Sequence, residues 1–260
     1  MSEADAILIE VWNRLTSDWS RLTTFRQMGV LGEDAAREAI HRTNTYYVQQ
    51  NLLNGEHRKL LKDPKGFVEA GLAETLPNEM TESSVKEFRR TLHAATLVFA
   101  HSILDAAMYD CVRICAIEKP DLWAEFVQGK KVSLGEVSGK SYPELLEAAI
   151  SADVLKLERE SLISKVDRVY QVCRPTKAEF LTNGFVFDRG RLIAIDKLRH
   201  NVVHAPGGEW EFDKIYEDIQ FLQNSGLHVF SMVGVTFGLC FSGAEAIAAL
   251  IARNKRAGVS

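Results

Sequence analysis

The residues in this chain best suited to chemistry lie in the run Arg199-His200-Asn201-Val202-Val203-His204, which passes directly into Ala205-Pro206-Gly207-Gly208. An arginine and a histidine five positions apart put a permanent cation near a group that exchanges protons close to neutral pH. Those two parts suffice in principle for cleaving RNA without a metal ion. When the 2'-hydroxyl of a ribose attacks the adjacent phosphorus, a proton must leave that hydroxyl and a proton must reach the departing 5'-oxygen. Charge gathering on the pentavalent phosphorus must also be neutralised. Histidine, with an ordinary pKa of about 6.5, can give or take the proton. Arginine stays charged and presents a planar fork matched to phosphate oxygens, so it grips the substrate and favours the charged transition state.

The spacing constrains how such a pair can be used. Five residues on a regular helix turn the chain by about 500°, which leaves the two side chains roughly 140° apart, too far round to meet on one phosphate. Convergence within one chain therefore requires the helix to loosen near His204. Pro206 disfavours helical geometry at Ala205, and Gly207-Gly208 lets the backbone turn, so the helix is expected to end around Val203 or His204 and to let His204 swing back toward Arg199. The same residues also have a plain structural use, since positive charge near a helix C-terminus gains about 0.3 to 1 kcal/mol from the helix dipole.

In this setting the run Asp196-Lys197-Leu198-Arg199-His200-Asn201-Val202-Val203-His204 resembles the HEPN family (higher eukaryotes and prokaryotes nucleotide-binding). Its nuclease members carry Arg, four to six residues, then His, often with a polar residue directly after the Arg. Arg199 and His204 match those positions and His200 is the polar follower; the likeness extends over roughly residues 80 to 252, with its sharp part in these six. The resemblance implies a helical bundle with the motif at the end of the third core helix, and an endoribonuclease of the toxin or antiviral abortive-infection type. It also implies a homodimer whose two motifs face each other in one cleft, with no cofactor and no metal. Arg199 would bind the scissile phosphate and His204 would transfer the proton, with His200, Asn201, Lys197 and Arg191 supporting them or touching substrate. The product would be a 2',3'-cyclic phosphate. A dimer also answers a physical need, because one histidine cannot easily serve the attacking and leaving oxygens together, and symmetry supplies a second. Some HEPN toxins have a tyrosine two residues after the motif histidine, modified by a partner nucleotidyltransferase. Pro206 stands there in this chain, so that control is not expected, and an antitoxin or another defence protein is the partner left open.

The elements that must carry this motif are helical. Strand-like alternation is nearly absent and apolar residues recur at helical spacing, giving an all-α fold of HEPN-bundle type with an added N-terminal helical segment. Ile7, Leu8, Val11, Trp12, Leu15, Trp19 and Leu22 line one face of a helix over 5–28. A second helix over 33–53 follows Gly29-Val30-Leu31-Gly32. Residues 54–78, with Gly55, Pro64, Gly66, Gly71 and Pro77, read as a linker with a short helix, which divides the chain into an extension over 1–78 and a bundle over 79–260. Thr81-Glu82-Ser83-Ser84 is expected to open a helix running to Glu118. Further helix is predicted over 142–173, broken near Ser151, then a motif helix over 189–203 capped by Asp188 with Leu192, Ile195, Leu198 and Val202 turned inward.

Composition narrows the options further. With 260 residues, 46% hydrophobic, 25% charged and a net charge of −4, the chain lacks the basic excess that attracts nucleic acid broadly. A local cluster remains in Arg189, Arg191, Lys197 and Arg199, while Glu209, Glu211, Asp213, Glu217 and Asp218 read as a solvated acidic helix face. Cys111, Cys115, Cys173 and Cys240 are scattered through apolar stretches and read as buried thiols of a reducing cytoplasm. The opening Met-Ser-Glu-Ala-Asp lacks the basic start and apolar core of a signal peptide, which again points to the cytoplasm. Residues 227–251 carry only His228 and Glu245 as acidic or basic side chains and are long enough to cross a bilayer. Their small residues and Glu245 favour a buried helix, with Gly234 and Gly238 allowing close approach of another helix, as at a dimer interface.

Other candidates are weaker. His101 and Asp105, four apart on one helix face, could bind a metal or, more modestly, hold Arg199 or His204 in place. No glycine-rich phosphate loop, nucleophile elbow or zinc-type histidine pair is read, so no metal is expected. Tyr46-Tyr47 could stack on bases, whereas Trp12 and Trp19 read as core. Two competing functions stand beside the nuclease: a non-catalytic HEPN-like module binding RNA, nucleotide or protein, and a membrane-associated helical interaction protein resting on 227–251.

Overall fold

A computed structural model describes residues 2–127, 139–174, 185–204 and 212–239, and among these the chain is all α, with nine α-helices and no strand. Helix α1 (Glu3–Leu31) starts where Ser2 and Asp5 exchange hydrogen bonds between each other's backbone N–H and side-chain oxygen, at 2.9 and 3.1 Å. Its apolar stripe is buried at Leu8, Val11, Leu15, Trp19 and Leu22, as its spacing predicts. Helix α2 (Glu33–Tyr46) passes into a π-helical turn (Tyr47–Leu53) and a 3-10 turn (Glu56–Leu60). Helix α3 (Pro64–Glu69) has proline at its first position and is capped by Asp63, whose Oδ1 accepts from Gly66 N at 3.0 Å.

Helix α4 (Leu72–Glu118) departs from expectation at its start. Gly71, at φ +72°, makes the turn that ends α3, and its carbonyl accepts from Glu74 N and Thr75 N, so the helix begins there and runs through Pro77. Thr81, expected at the helix entrance, is instead buried in mid-helix with its hydroxyl donating to Pro77 O at 2.6 Å. Residues 78 and 79, where the sequence placed the division, therefore lie inside α4. By compactness the chain divides into one unit of Met1–Arg21 with Leu97–Ser260 and another of Leu22–Thr96.

Within the Leu22–Thr96 unit, a Cβ added at Gly29 would come within 2.5 Å of the Leu92 side chain, so any larger residue there would require Leu92 to shift. Arg89 grips Glu33 with two nitrogens and Arg37 pairs with Glu82, so α2 is tied to α4 largely by charge.

The larger unit holds the motif. After α4 come α5 (Pro120–Val127), α6 (Tyr142–Glu158), α7 (Leu162–Cys173), α8 (Arg189–His204) and α9 (Phe212–Phe237). Ser141 and Glu144 form a capping box on α6, which stays continuous through Ser151; the break falls at 159–161, where Ser161 Oγ accepts from Ser164 N at 3.2 Å and caps α7. Arg174, at φ 44°, ends α7 just before Pro175. Leu97, Leu104, Met108, Trp123, Leu162 and Ile195 are among the fully buried side chains of its core.

Helix α9 revises the reading of the apolar C-terminal stretch. Val229, Phe230, Met232 and Val233 are buried within this unit, while residues 240–251 lie outside the described residues. A Cβ added at Gly234 would lie 3.6 Å from Leu8 of α1, so this glycine faces packing within the chain; Gly238, at φ +60°, ends the helix, with Leu239 N donating to Gly234 O. Among the described residues α4 is the helix long and apolar enough to cross a membrane, and half of its apolar window is buried in the protein.

Candidate functional site

Helix α8 forms for the reasons its sequence suggests. Asp188 Oδ1 accepts from Arg191 N at 3.0 Å, satisfying one of the free N–H groups of the first turn. Leu192 and Ile195 are buried, and Leu198 and Val202 are half-buried along the same stripe. Packing that stripe inward fixes where every polar side chain of the motif must point.

Arg199 lies partly buried, 33% exposed, with Nη2 3.2 Å from Asp196 Oδ1 one turn back. On the other side of that carboxylate stands His101 of α4, buried, with Nε2 2.9 Å from the same Oδ1. Nε2 is buried with no aligned hydrogen-bond partner among the described residues, so the contact is mainly electrostatic. Burial lowers the His101 pKa below its ordinary value; the Arg199 charge lowers it further, against the pull of Asp196 and Asp105. His101 is thus favoured as a neutral ring behind the Asp196–Arg199 pair. Arg199 Nε is buried and has no hydrogen-bond partner among the described residues.

Asp105, one turn along from His101, is engaged elsewhere. Both of its oxygens lie 2.7 Å from Lys165 Nζ on α7, and Lys165 is only 1% exposed. Lys165, Asp105, His101, Asp196 and Arg199 therefore form an alternating row of ionisable groups across α7, α4 and α8. Of His101 and Asp105, His101 lies beside Asp196 of the motif and Asp105 pairs with Lys165; Lys165, on a strongly amphipathic helix, was missed because nothing local marks a lysine as buried.

His204 behaves differently from expectation. The helix holds its form to His204, so the side chain does not swing back toward Arg199 but stays roughly 140° round the axis from it. It meets His200 instead, with ring centroids 4.5 Å apart and ring planes at 48°, both residues exposed. Asn201 and Lys197 are also exposed, and the turn 205–208 lies outside the described residues.

The basic cluster is largely neutralised. Arg189 grips Asp167 of α7 at 2.6 and 2.8 Å. Arg191 contacts Asp218 at 3.0 and 3.2 Å and lies 4.9 Å over the Phe221 ring on α9, so it fastens α8 to α9 rather than projecting toward a substrate. Asp218 is accordingly a docking residue and only 16% exposed, whereas Glu217 is 71% exposed, as a solvated face requires. Glu209 and Glu211 lie outside the described residues.

Cys111, Cys115 and Cys173 are free and buried, as expected, and burial pushes the Cys111 thiol up; Cys240 lies outside the described residues. Among the described residues no three His, Cys, Asp or Glu side chains converge as metal ligands. Tyr46 is exposed, Tyr47 is hydrogen-bonded to His57 at 3.2 Å, and Trp19 is buried. An aromatic cluster escaped the sequence reading: Phe187 stacks on Tyr170 and on the buried His228, whose Nε2 lies 3.1 Å from the Tyr170 hydroxyl. Burial pushes the Tyr170 phenol up to about 12. The alternating Phe185-Val186-Phe187 ahead of Asp188 is the signal that could have revealed it. Comparison of the chain with family models, with curated proteins and with solved structures gives no match.

Proposed function

We propose that this chain is a metal-independent endoribonuclease of the HEPN toxin or antiviral-defence type, acting as a homodimer in the cytoplasm. The observation that supports this reading most is the arrangement at the end of α8. A partly exposed Arg199 is held by Asp196 with the buried His101 behind it, and two exposed imidazoles, His200 and His204, follow within little more than one turn. Arg199 supplies fixed positive charge for the scissile phosphate, and His204 supplies the proton transfer. Because Arg199 and His204 diverge round a regular helix, the two roles are filled across a dimer, with the Arg199 of one copy working beside the His204 of its partner.

A second reading, a non-catalytic module that binds RNA, nucleotide or protein, draws on a different observation. Arg189, Arg191 and Arg199 each already hold a carboxylate, which reduces the free positive charge that phosphate binding needs. The test is incubation of the purified chain with structured and unstructured RNAs in EDTA. The nuclease reading expects products ending in 2',3'-cyclic phosphate, with rates falling roughly 10²-fold or more in both Arg199→Ala and His204→Ala. Cleavage surviving both substitutions overturns the site. RNA binding without cleavage supports the second reading.

A further inference from the structure

We propose that His200 and His204 form a binding site for a divalent transition-metal ion of the zinc or copper class on the exposed face of α8. Contrary to the expectation of no zinc-type histidine pair, the run His200-Asn201-Val202-Val203-His204 places two histidines four residues apart. Residues four apart on a helix lie one above the other on one face, and helical zinc motifs use this same spacing. The helix persists through His204, so the pair is held in that geometry.

Three observations carry the assignment. The ring centroids are 4.5 Å apart. Two imidazoles bound to one ion through Zn–N bonds of about 2.1 Å have centroids about 5 Å apart, so only modest ring rotation separates the observed pair from a chelating one. Both residues are exposed, and neither makes a hydrogen bond or ion pair among the described residues, so no such contact with those residues must break before a metal is bound. The neighbouring guanidinium of Arg199 is tied back to Asp196, which limits repulsion of an incoming cation. Neutral imidazole suits zinc, copper or nickel and is a poor ligand for magnesium or calcium, which sets the chemical class. Water fills the remaining coordination positions.

The proposal stands apart from the nuclease reading. Where both hold, the ion occupies a nitrogen that His204 needs for proton transfer, and the metal is an inhibitor. The test uses the untagged full chain, stripped with EDTA and dialysed, titrated with ZnCl2 by calorimetry and with CuSO4 by electron paramagnetic resonance. The expected result is one ion per chain, a copper spectrum with two nitrogen ligands, and affinity weakened about tenfold or more by either His200→Ala or His204→Ala, because each removes half of the chelate. His57→Ala, distant in sequence and engaged with Tyr47, should leave the titration unchanged. Circular dichroism establishes that the variants keep their helix content, which substitutions at exposed positions should allow. Zinc and copper affinities that agree within about twofold between wild type and the His200→Ala/His204→Ala double variant overturn the site, as does absence of binding to the wild type.

Discussion

Replacing Asp105 by alanine should destabilise the fold far more than replacing its partner Lys165 by methionine. Lys165 is 1% exposed and its ammonium rests against both Asp105 oxygens at 2.7 Å, so Asp105→Ala strands a positive charge in the core. Breaking a buried pair in this way costs about 3 to 5 kcal/mol. Asp105 is 33% exposed, so water reaches the pair from its side, and the expected cost falls to about 2 to 4 kcal/mol. Lys165→Met removes the buried charge together with its desolvation, keeps most of the aliphatic volume, and leaves a carboxylate with access to solvent; its expected cost is about 0 to 1.5 kcal/mol. The double variant should resemble Lys165→Met alone, giving a coupling equal to the cost of Asp105→Ala, about 2 to 4 kcal/mol. Urea unfolding at neutral pH, followed by circular dichroism and tryptophan fluorescence with coincident transitions, measures all four corners of the cycle. A cost below about 0.5 kcal/mol for Asp105→Ala, or a larger cost for Lys165→Met, would refute the reasoning.

Two further outcomes follow from the row of charges and from the divergence of the motif. Burial, with Arg199 adding to it, holds the His101 pKa below its ordinary value, so the unfolded chain takes up a proton before the folded one does; stability is intact above about pH 6.5 and falls as pH drops from there through the folded value. His101→Gln should flatten the decline in urea midpoint between about pH 7 and about pH 5.5, and an unchanged slope would show that His101 is not its source. If Arg199 of one copy works with His204 of the other, mixing and refolding inactive Arg199→Ala and His204→Ala chains should restore ribonuclease activity, at most about a quarter of wild type, since half the dimers are mixed and each brings one intact Arg199 to the one intact His204 of its partner while lacking the second histidine. No recovery in mixtures shown to contain mixed dimers would refute the pairing of one Arg199 with one His204 across the dimer.

Helix existence was legible because burial follows periodicity: the stripes of α1 and α8 came out inward, and Asp188 capped α8 as a short acceptor before an apolar repeat must. Helix boundaries were less legible wherever two signals competed. Thr81-Glu82-Ser83-Ser84 has the composition of an N-terminus, yet Gly71 with its positive φ had already turned the chain, and the helix extended through Pro77. At Ser151 nothing stopped α6, whereas Ser161 could cap α7 through its hydroxyl and did. At the site, intra-helix relations were readable and inter-helix ones were not. Asp196 with Arg199 and His200 with His204 follow from spacing alone, while Arg191 with Asp218 and Lys165 with Asp105 depend on how separate helices dock.

The persistence of α8 to its last residue changes what the motif can be. Had the helix loosened, one chain could have brought guanidinium and imidazole to a single phosphate. With helical geometry kept, the inward stripe of Leu192, Ile195, Leu198 and Val202 sets the rotation of the helix, and that rotation turns Arg199 toward Asp196 and His101 while leaving the imidazoles to solvent. The arginine is therefore restrained by the core and the histidines are not. Restraint lowers the entropy lost when a phosphate is gripped, which suits a binding group. Mobility at the surface suits a group that must meet a second chain, a substrate or an ion. The two halves of the motif answer to different neighbours, and any reaction that uses both must draw them together from outside this single helix.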